Sequence, residues 1–163
     1  MKFKSFPITG LLLAMAVIGP DVSWADFRAS VVTVHEGDRV TIHHNGRSEM
    51  IYLKNIDCPE LKQPYGKQAT RTTLAYIGGR EVVIHGLQRD RQGRTTADVL
   101  LQDGRNVGHE LVKEGLAWAR QETAEGRRLG EIEQLARAEH KGLWSDANPI
   151  PPWKWKQKTK VKR

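Results

Sequence analysis

The chain has 163 residues, a formal net charge of +7 and one cysteine. A single thiol excludes an internal disulfide framework, so packing has to supply the stability. The apolar stretch at residues 8–18 falls well short of the roughly 20 residues that cross a bilayer, and the length suits one domain with a sizeable core.

Lys2 and Lys4 precede that stretch, and Ser23-Trp24-Ala25 follows it. This is the charged, apolar and small-residue layout of a secretory signal peptide, so cleavage is expected after Ala25 and the product is expected in the periplasm or outside the cell. Lys2 and Lys4 against Asp21 account for one unit of charge, leaving +6 for the rest. Residues 149–163 carry six positive charges and no acid, so residues 26–148 are formally neutral. The basic character belongs to a tail, and a nucleic-acid groove in the body needs local evidence.

From residue 29 to 101 the pattern predicts strands, with Val32, Val34, Val40, Ile42, Ile51 and Leu53 spaced in twos. Glu36-Gly37 and Asn45-Gly46 are turn signals, the second a strong one for a two-residue hairpin, and a three-strand meander results. Residues 64–77 predict a helix with Ala69, Thr73, Leu74 and Ile77 on its buried face, stopped by Gly78-Gly79. Two further strands are expected near residues 81–87 and 95–101. Val107, Leu111 and Val112 then mark a short helix ending at Gly115. Thr123 caps a last one whose buried stripe is Leu129, Ile132, Leu135 and Ala136. Five strands and three α-helices predict an α+β fold on a five-stranded OB-type β-barrel, monomeric and without internal repeats, over residues 26–148. Pro149-Ile150-Pro151-Pro152 ends helical structure, and the basic tail that follows is expected to be disordered.

Cleaving a phosphodiester needs a cation against the phosphate, a base for water, and positive groups for the charge that builds on phosphorus oxygens. Calcium takes hard oxygen ligands. Asp38 begins one strand and Asp57 ends another two along, so both are expected at one end of the meander, with Glu60 beyond a proline turn. By residue type alone, a Gly-Asp turn is usually only a turn.

The run from Val32 to Glu60, with Gly37-Asp38 and Ile56-Asp57-Cys58-Pro59-Glu60, resembles the start of a staphylococcal nuclease domain. Tyr65-Gly66, Asp90-Arg91-Gln92-Gly93-Arg94, Asp103-Gly104-Arg105-Asn106-Val107, Gly115-Leu116-Ala117-Trp118 and Gly142-Leu143-Trp144 follow in that family's order. The resemblance implies Ca2+ held by Asp38, Asp57 and the backbone carbonyl of Cys58. It implies Glu60 as general base and Arg94 on the scissile phosphate, with DNA and/or RNA as substrate. Arg91 in the same loop and Arg120 are further candidate substrate contacts.

Two departures stand out. The family's first catalytic arginine, five residues before the second calcium aspartate, is here Tyr52, which supplies no charge. Loss of one such donor costs on the order of 10²–10³ in rate elsewhere. Lys54, two residues on, shares a strand face with Tyr52 and is a candidate replacement. Aromatic positions expected in the Asp90 loop and after Ala117-Trp118 read Gln92, Arg120 and Thr123. A catalytically impaired module that only binds nucleic acid is therefore the alternative. His35, His43, His44, His85, His109 and His140 lack zinc-type spacing and read as structural or surface residues. In the tail, Trp153 and Trp155 alternate with Lys154 and Lys156, which suits stacking on bases beside phosphate or contact with an anionic surface.

Export is expected to yield a chain beginning at Asp26. Mass spectrometry of the exported protein checks this, and an intact Met1 on a membrane-bound product would overturn it.

Overall fold

The computed structural model describes residues 26–161, with side chains as far as Lys156. The expected signal peptide lies outside the described residues. The strands are β1 (Phe27–Glu36), β2 (Arg39–His44), β3 (Arg47–Leu53), β4 (Ile56–Asp57), β5 (Glu81–Arg89), β6 (Thr95–Leu100) and β7 (Trp118–Ala119). The helices are α1 (Gly66–Ile77), α2 (Val107–Lys113), α3 (Ala124–Ala138) and α4 (Pro152–Val161), with a short 3₁₀ turn at Gly142–Ser145.

Five strands close a barrel in the order β1-β2-β3-β6-β5, the α+β architecture expected. The meander β1-β2-β3 is antiparallel, and β3 pairs parallel to β6 through Tyr52↔Thr96 and Leu53↔Ala97. Alternate residues fill the barrel: Val40, Ile42, Ile51, Leu53, Val82, Ile84, Ala97 and Val99 are all buried. Asn45 (φ 49°) and Gly46 (φ 73°) make the two-residue turn between β2 and β3. Positive φ at both central residues matches the right-handed twist of the flanking strands. Irregularities in β1 between Val31 and Thr33 and between Val34 and Glu36 break its alternation. Val31 is therefore buried while Val32, expected inside, is 59% exposed.

The helices cover one end of the barrel and differ from expectation at single positions. α1 starts at Gly66 and buries Ala69, Thr73 and Ile77, while Leu74 is exposed. Thr73 takes an inward place because its hydroxyl donates to the carbonyl of Gly37 at 2.7 Å, which removes the cost of burying it. α3 buries Leu129, Glu133 and Ala136, whereas Leu135 is 66% exposed. Glu133 is tolerated inside because Oε2 accepts the Ala119 amide at 2.6 Å and Oε1 accepts Arg137 Nε and Nη2 at 2.9 and 2.7 Å. Arg137 lies over the rings of Trp118 and Trp144 at 5.0 and 3.6 Å from their centroids. The tail corrects the expectation of disorder. Pro151 and Pro152 are buried, α4 runs from Pro152, and Trp153 packs edge-on against Trp118 with centroids 5.8 Å apart. Buried contacts for the prolines and a tryptophan offset the ordering cost that a purely solvated lysine tail would not recover. Among the described residues no helix is long and apolar enough to cross a membrane.

Glu133→Ala should destabilise the protein by about 3 kcal/mol, since it leaves the Ala119 amide and the Arg137 guanidinium without their acceptor. Urea unfolding followed by circular dichroism measures this, and Leu135→Ala should be close to neutral in the same assay.

Candidate active site

The turn after β1 and the short strand β4 bring the predicted carboxylates together. Gly37 sits between them and α1 with no room for a side chain: a Cβ there would meet Cys58 Sγ at 2.7 Å and Ala69 Cβ at 2.8 Å. That close approach draws the Asp38 turn onto β4, where the Cys58 amide donates to Asp38 Oδ2 at 3.0 Å. On the other side, β4 pairs with β7 through Ile56↔Ala119 and Asp57↔Trp118. Arg120, directly after β7, donates from its backbone to the Asn55 carbonyl at 2.7 Å. Asn55 (φ 57°) also accepts from the cap residue Thr123 at 2.8 Å.

Four carboxylates result, Glu36, Asp38, Asp57 and Glu60, and burial with the neighbouring charges raises the proton affinity of the first three. Burial, then the charge of Asp57, pushes Asp38 up to about 7. Burial likewise holds Asp57 above the usual carboxylate value against the pull of Lys156 and Arg120. Glu36 is raised by burial and by Glu60. Cys58 is buried, and burial followed by the two aspartates pushes its thiol well up, which leaves it a neutral filler. Among the described residues no group of three or more His, Cys, Asp or Glu side chains converges as a metal centre. Asp38 and Asp57 are the carboxylate pair that would offer oxygen donors to a cation. Both are hard oxygen ligands, desolvated and mutually repelling, which is the chemistry a divalent cation relieves.

Basic groups surround this cluster. Arg120 Nη1 pairs with Asp57 Oδ2 at 3.3 Å while Nη2 holds Glu122 at 2.8 Å, and its guanidinium lies 5.3 Å from the centroid of Trp153. Lys156, from α4, places its ammonium 2.7 Å from Glu60 Oε1. The loop at residues 90–94 aims Arg94. Asp90 Oδ1 accepts the amides of Gln92 and Arg94, both at 2.9 Å, Gly93 turns with φ 76°, and Asp90 Oδ2 takes Arg94 Nε at 2.6 Å. Arg94 then lies over the Tyr52 ring, 4.8 Å from its centroid. Asp38, Tyr52, Lys54, Asp57, Arg91, Arg94 and Arg120 line a single cleft of about 510 Å³. Glu60 and Cys58 stand beside this cleft, not on its wall. His35 and His44 have ordinary partners, Thr41 at 2.8 Å and the Arg28 carbonyl at 2.7 Å.

The family model described as Staphylococcal nuclease homologue matches residues 50–146, which include every predicted site residue except Asp38. The chain belongs to the staphylococcal nuclease family. An uncharacterized endonuclease of Escherichia coli O157:H7 is 36% identical over 90% of this chain and 95% of its own. A micrococcal nuclease of Shigella flexneri is 31% identical over 98% of each chain. Protein ParB of Escherichia coli is 30% identical over 100% of this chain and 98% of its own.

Sequence reasoning missed Glu133, Lys156 and Arg39. Glu133 falls at helical spacing from Leu129 and Ala136, so its place on the buried stripe was available as a signal. Lys156 gave none, since no local pattern connects it with Glu60. Arg39 was recoverable from the Asn45-Gly46 turn: a two-residue loop pairs His44 with Arg47 and, counting outward, Arg39 with Tyr52.

The raised Asp38 value has a definite sign. Between the unfolded value near 3.8 and the folded value near 7, the native state keeps a proton that the unfolded chain has lost. Stability from that proton is present at low pH and is lost as pH rises towards 7. In the presence of a metal chelator, Asp38→Asn should match the wild type near pH 4 and melt higher above pH 7, by at least about 4 °C in calorimetry.

Proposed function

We propose that this member of the family is a calcium-dependent phosphodiesterase that cuts DNA, RNA or both with little sequence preference. Nuclease activity follows from the family and from relatives named endonuclease and micrococcal nuclease. The observation that carries the finer reading is the meeting of the desolvated Asp38 and Asp57 pair with the Arg94 guanidinium in one cleft. Such a cleft addresses phosphate and sugar, and no helix of it is arranged to enter a groove and read base edges.

Asp38 and Asp57, with the Cys58 carbonyl, would hold the ion, which supplies charge neutralisation at the phosphate when bound. Glu60 takes the proton of the attacking water once its carboxylate is released from Lys156. Arg94 presents a planar guanidinium fork to two phosphate oxygens, with Asp90 and Tyr52 fixing its direction. Arg91, Lys54 and Arg120 extend the positive lining along the strand of nucleic acid. Lys158, Lys160 and Lys162 add positive charge to the tail, which suits nucleic acid or an anionic surface. A signal at residues 1–25 would put this activity in the periplasm or the medium.

Two observations favour the alternative of a module that binds without cutting: Tyr52 stands at the family's arginine position, and Lys156 engages Glu60. Digestion of plasmid DNA and of RNA with calcium, and with EDTA as control, separates the two. Cleavage is expected, with Glu60→Gln and Arg94→Ala each lowering kcat by on the order of 10² or more and Lys156→Ala raising it. Binding of either nucleic acid with no calcium-dependent cleavage, in the wild type and in Lys156→Ala alike, would establish the binding module instead.

A further inference from the structure

Position 52 lacks the family's cation, yet its cross-strand neighbour carries one. Arg39 lies directly opposite Tyr52 in the β2–β3 ladder, and both side chains leave the barrel on its outer face, Arg39 next to the inward Val40 on one strand and Tyr52 between the inward Ile51 and Leu53 on the other. Directly opposed residues have Cβ atoms about 4.5–5.5 Å apart, so a guanidinium carried at 39 reaches the volume that one carried at 52 would occupy. Tyr52 stands close enough to the Arg39 guanidinium to favour its charged form. Its ring face underlies Arg94. Tyr52 is therefore a bracket with an arginine on either side.

The surroundings of Arg39 are those of the acidic site. Its Nη2 is 3.3 Å from Glu36 Oε2, and it feels the charge of Asp38, the residue before it. The side chain is 32% exposed, and its Nε is buried with no protein partner. A guanidinium has five donors in a fixed fork, and Glu36 and Tyr52 do not exhaust them.

We infer that Arg39 is the second phosphate-binding guanidinium of this site, supplied from across the strand in place of the one missing at position 52, with Tyr52 holding it and Arg94 apart in a fixed fork. This rests on the phosphodiesterase reading above. The exchange also explains why position 52 is not arginine: two guanidiniums directly opposite would repel, while a tyrosine neighbour adds a hydrogen bond and a ring face. Tyr52→Arg alone is thus expected to bring no gain, contrary to what the missing charge by itself suggests.

The test uses the full protein, a single-stranded DNA and a single-stranded RNA oligonucleotide, and two readouts. With calcium, Arg39→Ala should lower kcat/KM by on the order of 10²-fold. Arg39→Gln, which keeps a polar side chain and removes the charge, should do the same with an unchanged melting curve, so a folding defect is not mistaken for a lost charge. Arg39→Thr combined with Tyr52→Arg should recover at least tenfold over Arg39→Thr. An Arg39→Gln enzyme within twofold of the wild type, or a double variant no better than Arg39→Thr, would overturn the assignment. A wild type that does not cut defeats the phosphodiesterase reading, and fluorescence anisotropy then decides this one by itself. Arg39→Gln should weaken oligonucleotide binding and reduce the slope of log affinity against log salt by about 0.7, as for one phosphate contact on a single strand. Unchanged affinity and slope would refute it.

Discussion

Repulsion among carboxylates is the constraint around which the rest of this structure is arranged. Glu36, Asp38, Asp57 and Glu60 come from two separate segments, and burial raises the first three above their ordinary proton affinity. Left alone, such a cluster would push its segments apart. The barrel turn at Gly37, the Thr73 hydroxyl on its carbonyl and the Cys58 amide on Asp38 hold it together. The stability given up here is the reverse of what a folded core maximises, and a cation or a phosphate-bound cation would relieve it.

The cations that answer this charge arrive from different directions. Arg39 comes from the adjacent strand, Arg120 from the end of β7 and Lys156 from α4. Each depends on an element that is itself secured elsewhere. β7 is fastened by buried Glu133 through the Ala119 amide, and α4 by Trp153 on Trp118 and by the Gln63 side-chain amide on the Ile150 carbonyl. Positions on α3 and in the tail, far from the carboxylates in sequence, thereby set which positive charges stand against them. Electrostatic preorganisation of this kind is inexpensive at the moment of reaction because folding has already met its cost.

Tyr52 illustrates how a site exchanges one kind of group for another without losing its charge balance. A tyrosine offers a hydrogen-bond acceptor along one direction and a π face along another. The two arginines beside it use these separately, one near the hydroxyl and one over the ring. A residue that looks like a loss when the chain is scanned position by position takes on a supporting role once its cross-strand neighbour is considered.

Much of this was legible in the chain itself. Period-two alternation, the Asn45-Gly46 turn, the stop at Gly115 and the cap at Thr123 are local, so the barrel strands and the middle helices followed from them. The candidate carboxylates and Arg94 were legible through motifs whose residues lie close together in sequence. Leu74, Leu135 and Val32 were misplaced because a buried Thr73 and Glu133 with polar partners, and irregular pairing in β1, overrode the apolar pattern. The two-residue strands β4 and β7, the docking of α4 and the approach of Lys156 to Glu60 were decided only by the tertiary structure. Each depends on contacts between segments some sixty to a hundred residues apart, as between Asp57 and Arg120 or Glu60 and Lys156, and no periodicity within a segment encodes such a meeting.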